Sequence, residues 1–420
     1  MNPSLSAIVT IADDAIDRAR EVEAKLMKSG ESGPLCGLPI TIKDTIDTKG
    51  LRTTYGSRLF ADHVPDRDAT VVARLKAAGA IILGKTNTPE MAIPYETDNP
   101  VFGRTNNPHD LNRTPGGSSG GEAAAIAANL SPAGIGSDLS GSIRVPAHFC
   151  GIAGLKPTTG RVPMDGHVPE ARGSLAMGAT IGPMARRVAD LDLLFRVMAQ
   201  SPDDPITPNE LRSMSVAFYV DDGHTPVTEE TANAVRLAAA ILREAGFDLR
   251  ETQPLGITEG SRLWIELFAD VAQQQLRDCY RGREADAGPL VAPLIDEIED
   301  PSFEEKIVAA ERRAKAVVER ERLREDLLRW MKQTPLILAP VGSVPAFTHG
   351  AKRVAVGGET ISVFRAFSYS QTWNVFGLPA VSVPVAHDSQ GIPIGVQIIG
   401  RPFEERVVLA MAQLVEQAVA

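Results

Sequence analysis

Apolar positions along the chain follow two rhythms that alternate. Over residues 11–29, Ile11, Ala15, Ala19, Val22 and Leu26 recur among charged neighbours at helical spacing, and Gly30 ends the run. Residues 38–42 read as a short buried strand that delivers Lys43-Asp44 at its end. The spacing then predicts a helix over 68–78, capped by Asp68 and stopped by Gly79, and a strand over 80–83. Alternation of this kind points to an α/β fold.

Residues 87–115 are rich in Pro, Asn and Gly and hold no sustained period, which predicts a long ordered loop of the functional type. A small-residue, Ala-rich helix follows at 120–129, and 134–145 reads as a further loop or strand edge. From about 202 the character changes. A strand at 215–220 and a helix at 227–246 precede a long charged helix at 303–331, whose charge pattern is that of a solvated face. Strands at 336–339, 380–384 and 395–399 and an amphipathic helix at 406–418 close the chain. The pattern predicts a mixed β-sheet with helices on both faces and a more peripheral middle third.

Composition narrows the function. The 420 residues carry a net charge of −10 with no Lys/Arg block, which argues against a nucleic-acid partner. Cys36, Cys150 and Cys279 stand far apart with no CxxC pair, so neither a disulfide framework nor a zinc site is expected. The N-terminus lacks a basic segment followed by an apolar one, and no stretch approaches the ~20 apolar residues that span a bilayer. The expectation is a cytoplasmic protein that uses neither membrane nor metal, since the seven histidines are scattered without HExxH.

The densest chemical signal is Gly116-Gly117-Ser118-Ser119-Gly120-Gly121, directly before a helix. A phosphate-binding loop would need a Gly-Lys-Ser/Thr ending, which is missing. A flexible turn with Ser118 or Ser119 as helix cap fits. The segment also matches the G-x-S-x-G nucleophile elbow, but that arrangement needs a strand before the serine, where 106–115 is polar and broken by proline. It further needs an Asp and a His, and neither His349 nor His387 has a distinctive context. A second segment, Gly136-Ser137-Asp138-Leu139-Ser140-Gly141-Ser142-Ile143-Arg144, surrounds Ser142 with small residues. They leave its hydroxyl accessible and let successive backbone N–H groups face one point, as an oxyanion hole requires. A tight loop with structural Asp138 and Arg144 is the plainer reading, and scaffolding suits those two residues better than chemistry.

Together with Lys43, preceded by Gly37-Leu38-Pro39-Ile40-Thr41-Ile42, these motifs resemble the amidase-signature family. The resemblance is strong over 34–200, including Gly151-Ile152-Ala153-Gly154-Leu155-Lys156-Pro157-Thr158, and resumes more loosely over 335–410. It implies the amidase-signature fold in one domain, with 34–200 as the catalytic core, 202–333 as a divergent substrate-side region and 335–420 completing the sheet. It implies hydrolysis of amide C–N bonds with Ser142 as nucleophile, Ser118 as bridging serine and Lys43 as base. The peptide bond Gly117–Ser118 would be cis, and the backbone N–H groups of Leu139, Ser140, Gly141 and Ser142 would hold the oxyanion. No cofactor is needed.

Free lysine titrates near about 10.4, so a neutral Lys43 at pH 7 costs about 4.6 kcal/mol. Burial supplies shifts of that size, and Asp44 must then point away from the amine. The family usually has glycine where this chain has Ser140, which is a cost if that position needs positive φ. Family members usually carry further helical sequence ahead of Asn2-Pro3. Met164, Leu175 and Met177 suggest an adaptable apolar pocket. The substrate expected is a small amide, with esters and carbamates related to it, turned over by a monomer or homodimer. A glutamine-hydrolysing component of a tRNA-dependent amidotransferase and a catalytically silent binding protein are the alternatives.

Overall fold

Short apolar runs form the middle of the fold, and the amphipathic helices cover them. The computed structural model describes residues 1–30, 33–93, 95–202, 204–296 and 303–419. Its strands are β1 (Ile8–Ile11), β2 (Pro39–Lys43), β3 (Ile81–Thr86), β4 (Ala133–Asp138), β5 (Ala153–Lys156), β6 (Thr180–Ala185) and β7 (Val216–Phe218). They continue as β8 (Leu249–Glu251), β9 (Leu336–Pro340), β10 (Arg353–Val356), β11 (Glu359–Ser362), β12 (Ala380–His387) and β13 (Pro393–Ile399). Among the described residues eleven of them build one sheet in the order β1-β3-β2-β4-β6-β5-β12-β13-β9-β7-β8, and β10 and β11 pair as a hairpin. The sheet is mixed: β2 lies parallel to β3 and β4, whereas β4 runs antiparallel to β6 and β12 to β13. The expected α/β architecture, a mixed sheet flanked by helices, is therefore the one observed.

Alternation along the strands sorts the two layers. Leu336 and Leu338 join the large apolar cluster that includes the helices Thr70–Ala77, Val188–Ala199, Glu229–Glu244 and Glu405–Val419. Ile337 and Ala339 face the other layer, where Trp373, Tyr369, Phe268 and Met331 pack. The long helix Phe303–Trp330 lies on that side with much of its length exposed, although Arg320 reaches in to the Val375 carbonyl.

Three expectations change. Asp68 does not cap the helix Thr70–Ala77; it accepts the Lys49 N–H and pairs with Lys76, while Asp165 accepts the Thr70 N–H at 3.1 Å from a distant loop. Residues 134–145 are a loop only in their middle, at 139–143. They supply β4, paired on both sides, and the start of the helix Arg144–Cys150. Small residues read as loop because they carry no apolar signal, yet they are what lets layers approach: a Cβ on Gly121 would stand 2.4 Å from the Asn87 backbone nitrogen. The predicted helix over 11–29 is split, with Ile8–Ile11 forming the edge strand β1 and the helix proper covering Ala15–Ser29.

Position 94 aside, which lies outside the described residues, the segment 87–115 is an ordered loop as expected, with one 3-10 turn at Glu90–Ala92, and its asparagines explain the order. Asn99 donates to the Thr88 carbonyl at 2.7 Å, and Asn107 to the carbonyls of Thr114 and Phe149. Buried backbone groups that lack a ladder are satisfied in this way. Among the described residues no helix is long and apolar enough to cross a membrane.

Trp373 is fully buried between the sheet and the outer helices. Trp373→Ala is expected to lower stability by about 3–5 kcal/mol, read as a fall in the denaturation midpoint followed by far-ultraviolet circular dichroism.

Candidate active site

On β2, Ile40 and Ile42 belong to the large apolar cluster, so Thr41 and Lys43 face the opposite layer, towards the helix Gly120–Ala127. The Lys43 amine has no exposed surface. Its Nζ lies 2.6 Å from Ser118 Oγ and 2.9 Å from Ser137 Oγ. Burial lowers its pKa to about 7, against the opposing attraction of Asp138 and Glu122. Asp44 turns away: its Oδ2 accepts the Thr54 N–H at 3.0 Å and the Thr54 hydroxyl at 2.6 Å, and its nearby cations are Lys85 and Arg52. The separation required of the amine and this carboxylate is present.

Glu122, on the helix after the glycine-rich loop, was not anticipated. The Thr41 hydroxyl donates to its Oε1 and Thr86 to its Oε2 at 2.7 Å. Burial raises its pKa to about 7, against those hydrogen bonds and the attraction of Lys85 and Lys43. The carboxyl thus lies near the amine without pairing with it directly.

Ser118 follows a cis peptide bond from Gly117. Ser119 occupies the N-cap position but makes no side-chain cap; its hydroxyl donates to the Ser137 carbonyl. No strand leads into Ser118. His349 pairs with Glu96, and His387 is exposed at the end of β12. The nucleophile-elbow geometry is therefore absent around Ser118.

The second motif turns tightly after β4. Asp138 and Arg144 form a fully buried ion pair at 3.0 Å. The Asp138 oxygens also accept the N–H groups of Gly141 at 2.8 Å and Ile143 at 3.1 Å, while Arg144 reaches Gln397 and Asn374. Burial opposes ionisation of Asp138, but the Arg144 guanidinium outweighs it and holds the carboxyl well below the usual range. Both residues are scaffolding, as expected. The positive φ of this turn, 106°, falls on Gly141, where a Cβ would meet Ser370 Cβ at 2.7 Å. Ser140 is not in the left-handed region, so its side chain brings no backbone cost.

Four N–H groups were expected to converge here, and one is engaged: Gly141 spends its donor on Asp138 because the carboxylate sits inside the turn. Those of Leu139, Ser140 and Ser142 have no acceptor among the described residues. Two aromatic residues set the orientation of the loop. Trp264 Nε1–H donates to the Leu139 carbonyl at 2.9 Å, and the Tyr95 hydroxyl to the Ser140 carbonyl at 3.0 Å. In a trans peptide the carbonyl and the next N–H point in opposite directions, so the Ser140 N–H is turned away from Trp264.

Ser118, Ser137 and Ser142 open onto one cavity of about 340 Å³ with a mainly apolar wall that includes Ile93, Met164, Leu175, Trp264, Leu276 and Phe364. Of the three expected pocket residues, Met164 and Leu175 line it. Met177 instead packs into the apolar cluster of Phe268 and Trp373. No Arg or Lys side chain lines the cavity among the described residues. His167, also in the wall, binds Ser137 Oγ through Nε2 at 2.9 Å. Neither it nor Ser137, Tyr95 and Trp264 stands out in the sequence, where an isolated residue of these types carries no signal. Among the described residues no group of three His, Cys, Asp or Glu side chains is placed to hold a metal ion.

The chain is similar to known proteins over nearly its whole length. The family model described as Amidase matches residues 1–409. A glutamyl-tRNA(Gln) amidotransferase component from Carboxydothermus hydrogenoformans is 34% identical over 452 residues, covering 99% of this chain and 90% of its own. The structure of 6-aminohexanoate cyclic dimer hydrolase complexed with substrate superposes with a TM-score of 0.82 at 29% identity, over 100% of this chain and 90% of that one. A bacterial aryl acylamidase of the amidase-signature enzymes superposes with a TM-score of 0.83 at 26% identity, over 99% and 90%.

The buried ion pair yields a stability prediction. Arg144→Ala strands the Asp138 carboxylate without its counter-charge and is expected to cost about 3–5 kcal/mol, measured as a lowered unfolding midpoint in urea.

Proposed function

The chain belongs to the amidase-signature family of C–N hydrolases, and from that premise we propose that it hydrolyses neutral, apolar or aryl amides through Lys43, Ser118 and Ser142. One observation carries the reading: a lysine amine brought to a pKa of about 7 by burial lies 2.6 Å from the Ser118 hydroxyl, beside the cavity that Ser142 lines. A serine hydroxyl needs such a base within hydrogen-bond reach.

Neutral Lys43 takes the Ser118 proton as Ser118 takes that of Ser142, and Ser142 Oγ adds to the substrate carbonyl carbon. The oxyanion is held by the N–H groups of Leu139, Ser140 and Ser142, with Gly141 reserved for Asp138. The proton then returns from Lys43 through Ser118 to the leaving nitrogen, the C–N bond breaks, and an acyl-enzyme ester on Ser142 remains. Water adds to that ester by the reverse relay and releases the acid. Esters and carbamates enter by the same acyl-enzyme route. In this scheme the whole chain is one catalytic unit: 34–200 supplies the motifs, 202–333 the substrate side and 335–420 the rest of the sheet. Positions 203 and 297–302 of the middle part lie outside the described residues.

The lining bears on the substrate. Glutamine presents an α-carboxylate, and a buried carboxylate needs a cation or several donors. The absence of Arg and Lys from the described wall, and its apolar character, favour a neutral substrate over glutamine and so a stand-alone amidase over an amidotransferase component.

Ser142→Ala and Lys43→Ala are each expected to reduce anilide hydrolysis by roughly 10⁴-fold or more, and the double variant by little further, because members of a relay act as a unit. Since only the neutral amine is a base, kcat/KM should rise with pH through an apparent pKa near 7. Full activity in Ser142→Ala removes the mechanism. In a screen of the isolated protein, anilides and short apolar amides should turn over and glutamine should not; glutaminase activity without anilide turnover overturns the substrate assignment.

A further inference from the structure

A neutral amine has one lone pair, and at Lys43 two hydroxyls compete for it. Ser118 Oγ at 2.6 Å and Ser137 Oγ at 2.9 Å are both within donating distance of Nζ. The relay described above, on which this inference rests, needs the Ser118 proton on that lone pair. If Ser137 filled it, Lys43 would have nothing with which to accept from Ser118.

The arrangement behind Ser137 removes the competition. His167 Nδ1 lies 2.9 Å from the Pro169 carbonyl, which can only accept, so the ring carries its hydrogen on Nδ1. His167 Nε2 is then an acceptor, and at 2.9 Å it takes the Ser137 hydroxyl hydrogen. With that hydrogen spent, Ser137 Oγ can only accept from Lys43. The Lys43–Ser137 contact therefore uses an N–H of the amine and leaves the lone pair to Ser118. We propose that His167 is a positioning residue that reserves the Lys43 lone pair for Ser118 by holding the Ser137 hydroxyl.

The frame around His167 suits that task. Its segment is fastened to the chain that continues from β2: Asp47 N–H donates to the Gly166 carbonyl at 2.8 Å, and Val168 N–H to the Thr45 carbonyl at 2.9 Å. The ring and the base are thus held by one stretch of backbone. Burial and the neighbouring Lys43 charge lower the His167 pKa to about 4, against the Pro169 hydrogen bond, so the ring stays neutral at pH 7. The device is separate from the three relay residues and depends on one tautomer.

The test is a double-mutant cycle on anilide hydrolysis. His167→Leu removes the acceptor and is expected to lower kcat about tenfold, the scale of one neutral hydrogen bond. His167→Gln keeps an acceptor for Ser137 and should stay within about threefold of the wild type. The acid limb of the His167→Leu profile should move to lower pH, because a Ser137 hydroxyl donating to Nζ stabilises the neutral amine. In a Ser137→Ala background His167→Leu should cause no further loss, since the hydroxyl it manages is gone. An equal loss in both backgrounds, or a Gln variant no better than Leu, overturns the proposal. Ser142→Ala, run alongside, reports on the relay itself: if it is inactive while the cycle is additive, His167 fails and the relay stands. Should His167→Leu not fold, His167→Phe takes its place in both backgrounds: a loss in the wild type that is absent beside Ser137→Ala is expected, and an equal loss in both overturns the proposal.

Discussion

An ammonium group loses several kcal/mol of hydration when it is carried into a protein interior, and the way this chain meets that constraint at Lys43 organises the rest of the structure. Exclusion of water from the amine needs a closed layer above β2, and the helix that starts at Gly120 provides it. A closed layer in turn needs small residues at the contact, which is why the glycine-rich segment is followed by alanines. The same closure would leave the amine without partners, so two serine hydroxyls and no direct carboxylate surround it. A carboxylate in contact would restore the charge and the ordinary pKa, and Asp44 and Glu122 are both held by threonines instead.

A lowered lysine pKa alone does not mark the site. Burial brings Lys85 to about 8 and Lys156 to about 7 as well. Lys85 donates to the Ile46 carbonyl and the Thr48 hydroxyl, and Lys156 to the Pro157 carbonyl at 2.9 Å. Neither lines the cavity. What distinguishes Lys43 is the chemistry at its tip: serine hydroxyls that open onto an apolar space. Perturbation and geometry have to coincide before a buried group becomes a functional candidate.

The loop after β4 shows the complementary economy. One carboxylate, Asp138, is neutralised by Arg144 and closes the turn through two backbone N–H groups. Trp264 and Tyr95, from far along the chain in either direction, then hold the carbonyls of Leu139 and Ser140. Trp264 also walls the cavity, so the surface that meets a substrate and the peptide that would meet an oxyanion share a residue. The relatives span a cyclic dimer hydrolase, an aryl acylamidase and a component of an amidotransferase. One fold thus serves different substrates, as expected when function lives in a site carried on the fold.

Much of this was legible from the residues. Period and length located most of the strands and helices, because side-chain spacing reports directly on backbone geometry, and the resemblance of three ordered motifs to a known family singled out Lys43, Ser118 and Ser142. The small-residue strand β4 and the edge strand β1 were not legible, since neither carries a hydrophobic rhythm of its own. Asp68 looked like a cap from its position, yet the helix took Asp165 from another loop. Residue type and spacing by themselves pointed to the fold class and to most of the turn points, which follow from local stereochemistry, and to segments rich in serine and glycine whose roles they left open. Only the tertiary structure decided how those side chains are wired: that Gly141 gives its N–H to Asp138, that Met177 packs in the core, and that His167 stands behind Ser137. The two hydrogen-bonded pairs lie 3 and 30 positions apart, Met177 packs against residues as distant as Trp373, and such arrangements exist only once packing has excluded water.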